Sequence, residues 1–163
     1  MRRVLKILLA CTALFTLAGQ LLLPVYAVFV KNIGGDLLTA GTSYAVFLLA
    51  CGLLLLAMSR WENAHKKYVK HFIVLSYALK AAGFISYIFV SQPWHLFAVQ
   101  AVLGISEAIN APAYDGLYSK NLTRGKFILQ WGYWDATWYI AAAIGAALGG
   151  FIAQTYGFNT LFL

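Results

Sequence analysis

Four ionisable side chains, Lys80, Glu107, Asp115 and Asp135, stand inside long runs of apolar residues. A charge at the centre of a hydrocarbon layer costs roughly 2.5–3.5 kcal/mol on insertion scales, so such groups face one another or a wet path. The chemistry open to them is ion pairing, proton exchange and the holding of a charged solute. Polar and aromatic neighbours recur around them at helical spacing. Gln100, Gly104, Glu107, Ala111, Tyr114 and Tyr118 follow at intervals of three and four, flanked by Asn110 and Asp115. A helix gathers these on one face. Trp131, Trp134, Asp135, Trp138 and Tyr139 do the same in the next apolar run, as do Ser76, Tyr77, Lys80 and Tyr87 in the preceding one. The first run offers Thr12, Thr16, Gln20 and Pro24. Converging, these faces build a water-accessible interior whose candidate lining is Gln20, Lys80, Glu107, Asn110, Asp115, Asp135 and Trp138. Two roles stay open for Lys80 and Glu107, a structural ion pair or a charged wall of a pathway. Trp131 and Trp134, near the cytoplasmic interface, read first as interfacial anchors and only second as part of this lining. A mixed aromatic and acidic lining suits a cationic or amphipathic solute, although sugars also stack on tryptophan.

Such faces need membrane-spanning helices to carry them, and the composition supplies these. Hydrophobic residues make up 62% of the 163 positions and charged residues 10%, with a mean hydropathy of +0.75. A soluble domain carries roughly a quarter charged residues, so this chain has too few to clothe a surface in water. The uncharged run Ile7 to Val30 holds 24 residues. That exceeds a signal-peptide core of roughly 7–15 and suffices to cross a hydrocarbon layer of about 30 Å. The spacing predicts five spans, at about 4–30, 37–58, 72–90, 96–118 and 127–154, with 160–163 opening a sixth. The expectation is an all-α, polytopic transmembrane helical bundle forming a single membrane domain over 1–163.

The net charge of +7 does not point to nucleic acid, because the basic residues are confined to alternate connections. Arg2, Arg3 and Lys6 precede the first span. Arg60, Lys66, Lys67 and Lys70 lie between the second and third, and Lys120, Arg124 and Lys126 between the fourth and fifth. The opposite connections contribute only Lys31. Lysine and arginine mark the cytoplasmic side, so the N-terminus is expected there, in a cell membrane. Cys11 and Cys51 sit in apolar runs as small hydrophobes. His65, His71 and His95 fall in predicted loops on both sides, so no cofactor or metal is expected. Neither a nucleophile elbow nor a zinc-protease motif occurs, and no enzyme is expected.

In this setting the chain resembles the N-terminal part of a major facilitator superfamily transporter. That family joins helices 2 and 3 by Gly-x-x-x-Asp-Arg-x-Gly-Arg-Arg. Here 58–67 read Met-Ser-Arg-Trp-Glu-Asn-Ala-His-Lys-Lys, with Glu62 at the acidic position and Lys66 and Lys67 at the basic pair. Met58 and His65 replace the glycines, and Asn63 the arginine. The family's helix 4 often carries Arg-x-x-x-Gly; here Gln100 replaces the arginine and Gly104 is kept. In helix 5, Gly145, Ala146, Ala147, Leu148, Gly149 and Gly150 resemble Gly-Pro-x-x-Gly-Gly, with alanine for proline. Ala141, Gly145 and Gly149 also form a small-residue stripe that lets another helix approach. The resemblance implies two six-helix halves with a solute site between them near mid-membrane. It implies partners as well: the lipid bilayer, a small solute, a coupling proton, and a missing C-terminal half or a second copy. The competing reading is a stand-alone small membrane protein that acts by self-association or as an assembly partner.

Overall fold

The computed structural model describes residues 2–162, and every regular element among them is helical. Hydrocarbon offers backbone groups no hydrogen-bond partner, so a chain this apolar satisfies them within its own helices. Helix α1 (Arg3–Leu22) passes through a 3-10 turn at Leu23–Val25 into α2 (Tyr26–Asn32). Pro24 explains the interruption, because it lacks the N–H that would bond the Gln20 carbonyl and its ring crowds that oxygen. Next come α3 (Leu37–Ala64), a 3-10 turn at Lys66–Tyr68, α4 (Val69–Ser86) and a 3-10 turn at Tyr87–Phe89. The last elements are α5 (Pro93–Asn121), α6 (Phe127–Tyr156) and the short α7 (Phe158–Leu161).

Among the described residues, five helical stretches are long and apolar enough to cross a membrane: Arg3–Asn32, Leu37–Ala64, Lys66–Phe89, Pro93–Asn121 and Phe127–Tyr156. Their outer faces suit lipid. Leu37, Leu53, Leu56, Phe89 and Ile128 are each more than 70% exposed, which only an apolar surrounding tolerates in such number. The helices extend beyond the apolar runs, most clearly at 59–71. That charged segment reads as a loop in the sequence, yet α3 continues to Ala64 and α4 begins at Val69. His65 closes α3 by donating from Nδ1 to the Trp61 carbonyl at 2.8 Å. His71 and His95 lie in the first turns of α4 and α5 rather than in loops. A helix need not end where the hydrocarbon ends, so charge marks the membrane boundary better than the helix boundary.

The described residues form two compact units, 2–26 with 118–161, and 27–117 with 162. In the first, α1 packs along α6. Ala141, Gly145 and Gly149 are buried on α6, and Leu5, Leu8 and Thr12 on α1. A Cβ on Gly145 would stand 2.6 Å from the Leu17 carbonyl oxygen and 3.0 Å from the Gln20 Cβ. A Cβ on Gly149 would fall inside the backbone of Leu21. Gly150 does not share this role, because a Cβ there meets nothing within 4 Å. It lies about 100° round the helix from Gly149, away from α1.

In the second unit, α5 meets α3 at Gly104, where a Cβ would lie 2.5 Å from the Phe47 carbonyl oxygen. It meets α4 where Leu103 fills the space left by Gly83. Phe29 of α2 packs edge-on against Tyr87 and Phe162, at 5.9 and 5.1 Å between ring centres. The turn into α3 uses Gly34 at φ 86°, where a side chain would be strained. Asp36 then caps α3, accepting 2.7 Å hydrogen bonds from the Thr39 N–H and hydroxyl.

Two outcomes follow. Gly149→Val is expected to destabilise the chain by about 1–3 kcal/mol, the usual cost of overpacking, while Gly150→Ala leaves it unchanged. Thermal unfolding in detergent, followed by size-exclusion chromatography, reads the difference. At Asp36 the Thr39 hydroxyl and then the Thr39 N–H hold the carboxyl below its ordinary value. A depressed folded pKa stabilises above the unfolded value of about 3.9 and stops stabilising as pH falls through the folded one. The melting difference between Asp36→Ala and the parent is therefore expected at pH 7 and shrinks below pH of about 4. A difference that does not change with pH would exclude the charged cap.

Candidate solute-pathway site

Helices α4 and α5 run antiparallel and meet through three successive pairs. Ser76 faces Asn110, Lys80 faces Glu107, and Gly83 faces Leu103. The steps are four then three residues on α4, and three then four on α5, so each pair lies one turn from the next. Ser76 Oγ lies 3.1 Å from Asn110 Oδ1 and 2.8 Å from the Ile73 carbonyl oxygen, to both of which it is placed to donate. Both side chains are buried. Lys80 Nζ donates to Glu107 Oε2 at 2.6 Å, a charge-assisted contact.

Glu107 is the middle residue of the span Pro93–Asn121. The pair therefore lies at the depth where charge is most costly. It is not sealed: the Lys80 and Glu107 side chains are 16% and 35% exposed. An edge of charge cannot rest against lipid tails, so that edge borders water or further protein. Tyr77, one position round α4 from Ser76, places its ring centre 5.9 Å from Lys80 Nζ. Close packing of α3 at Gly104 brings the backbone of Cys51 to the same level of the unit.

The other candidates fall elsewhere. Asp115 is exposed two turns further along α5. Gln20, Asp135 and Trp138 belong to the unit containing α1 and α6. Gln20 is half-buried against Gly145, Asp135 is exposed, and Trp138 lies edge-on to Tyr139 at 5.1 Å. The arrangement thus brings Lys80, Glu107 and Asn110 into one ladder and leaves the remaining four outside it.

In the turn between α3 and α4, Lys66 and Lys67 are exposed, and Lys67 Nζ sits 4.8 Å from the Tyr68 ring centre. Glu62 differs from a solvated loop residue. It is 3% exposed, and neither carboxylate oxygen finds a hydrogen-bond partner among the described residues. Two further features are not legible in the sequence. Ser76 is a polar position on a helical face, and nothing local names Asn110 as its partner. Gln130 closes the turn between α5 and α6: Oε1 accepts from the Thr123 N–H at 2.7 Å, and its carbonyl accepts from the Tyr118 hydroxyl at 2.5 Å. A glutamine near a helix start carries no signal of its own. Only the folded turn brings Thr123 within its reach. Among the described residues no group of three His, Cys, Asp or Glu is placed to hold a metal ion.

Comparison with known proteins gives this geometry a family. The description Major Facilitator Superfamily matches residues 8–163. The chain is 27% identical over 148 residues to a Bacillus subtilis (strain 168) protein named as an uncharacterized MFS-type transporter, YitZ. That match covers 89% of this chain and 87% of the relative. No solved structure matches. A match over nearly the whole length, with five membrane-length helices among the described residues, shows that the protein belongs to the major facilitator superfamily.

Proposed function

We propose that this chain forms one membrane domain carrying the N-terminal side of a secondary transport pathway for a small solute. The Lys80–Glu107 pair is its charged wall. One observation carries the reading: an ion pair at the centre of two spans whose edge is open. A purely structural pair would be expected to lie sealed, since desolvation is offset only when every charge is fully matched. An open pair keeps exchangeable partners, which a moving solute or a proton needs. Gln20, Asn110, Asp115, Asp135 and Trp138 are further lining positions in this proposal. The missing half of the cavity comes from a C-terminal half or from a second copy.

A second reading is a polytopic membrane protein that acts by self-association or as an assembly partner. Cross-linking of the chain in its native membrane reads whether copies associate, and access of a membrane-impermeant thiol reagent to the level of the Lys80–Glu107 pair separates a transporter from a protein with no pathway. The orientation proposed is N-terminus inside, in the cell membrane. It is supported by ten basic residues on one set of connections against Lys31 on the other. Alkaline phosphatase fused after Lys31 is expected to be active, and fused after Lys67 inactive; the reverse pattern would invert the topology.

The pathway itself is tested without knowing the solute. In a cysteine-free background, Tyr77→Cys and Ala111→Cys are expected to react with a membrane-impermeant thiol reagent, while lipid-facing Val74→Cys reacts far more slowly. Equal inertness at all three positions would sink the pathway. Neutralising one partner, as in Glu107→Gln, is expected to destabilise by less than the roughly 3–5 kcal/mol of a sealed pair. The exchange of Lys80→Glu with Glu107→Lys is expected to recover most of that loss in a thermal-unfolding assay.

A further inference from the structure

We infer that the Lys80–Glu107 pair selects a zwitterionic solute, one whose ammonium and carboxylate are separated by a single carbon, as in a free α-amino acid. The inference rests on the pathway reading above. Acidic residues in the lining suggest a cation, but the structure takes Glu107 out of that account by pairing it with Lys80 at 2.6 Å. Asp115, the remaining acid of this unit in α5, stands eight residues away, roughly 12 Å along the helix at 1.5 Å per residue. That is too far to touch a solute held by the pair.

The pair therefore has no net charge to offer, and what it offers is two opposite charges side by side. The contact uses one of the three ammonium donors of Lys80 and one of the two carboxylate oxygens of Glu107. The remaining donors and acceptor are what a solute meets at the open edge. A solute that is only a cation binds Glu107 by competing with Lys80, and so leaves an ammonium unpaired at mid-membrane. A solute that is only an anion leaves the carboxylate unpaired. A zwitterion meets both at once: its carboxylate on Lys80, its ammonium on Glu107, four charges alternating in sign with a sum of zero. The site then stays neutral through loading and release, which the depth of Glu107 in its span makes decisive. The Tyr77 ring, 5.9 Å from Lys80 Nζ, supplies an apolar face for the solute's side chain.

The test uses the full chain in detergent or lipid discs and equilibrium dialysis of leucine and phenylalanine. Each is compared with its decarboxylated amine (isopentylamine, phenethylamine) and its deaminated acid (4-methylpentanoate, 3-phenylpropanoate). At least one amino acid is expected to bind at least tenfold more tightly than both of its singly charged analogues. Lys80→Met is expected to shift preference to the amine, and Glu107→Gln to the acid. Should either variant fail to fold, the double exchange Lys80→Glu with Glu107→Lys must retain the preference for the amino acid. An amine that binds the parent as tightly as its amino acid would overturn the inference, as would no binding of either amino acid or a preference unmoved in both variants. An amine whose binding is lost in Glu107→Gln removes the zwitterion while leaving the pathway standing. The pathway falls only if the thiol reagent reaches neither Tyr77→Cys nor Ala111→Cys.

Discussion

Charge placed in hydrocarbon must be matched or moved out, and this chain does both. Its basic residues other than Lys80 crowd toward the helix ends and the turns between them. The lysine that stays inside, Lys80, is held by Glu107 one helix away. Close packing in the second unit supports that contact. Gly83 lets Leu103 settle between α4 and α5, and Gly104, about 60° round α5 from Glu107, lets α3 close on the flank of that contact. Ser76 and Asn110 add a neutral rung beside the charged one. The pair is thus fixed by packing on both helices rather than by electrostatic attraction alone.

Much of this was legible in the sequence. Apolar runs broken by basic clusters read directly as membrane spans, because hydropathy and charge are properties of short segments. The spacing of Gln100, Gly104 and Glu107 placed them on one helical face for the same reason. The glycines of α6 read as a close-approach stripe, and the structure shows Gly145 and Gly149 in that role against Leu17 and Leu21. What could not be read was which face looks at which neighbour. Gly150 belongs to the same short run as Gly149 yet points elsewhere. Asp135 and Trp138 repeat the polar spacing of α5 but lie in the unit of α1 and α6. Periodicity reports a face, whereas a site is a meeting of faces.

Glu62 marks a different kind of limit. Its position in a basic loop suggests a solvated carboxylate, but α3 carries it a turn beyond the apolar run and buries it without a partner. Burial without a partner costs a carboxylate far more than exposure does. Local composition is blind to such a cost, since the polar neighbours in sequence point away on the same helix. Gln130 is the converse case, an unremarkable residue that satisfies Thr123 and accepts from Tyr118 because the turn folds back on it.

The seam between α1 and α6 is built from what glycine lacks. Hydrogen is the smallest side chain there is, so every amino-acid replacement at Gly145 or Gly149 adds atoms where Leu17 and Leu21 already stand. No compensating change at those two leucines can relieve it, because the obstructing atoms belong to their backbone. The seam can therefore drift in only one direction, toward clash. In a random-mutagenesis library of this gene, these two codons would stand out as gaps beside a freely varying Gly150.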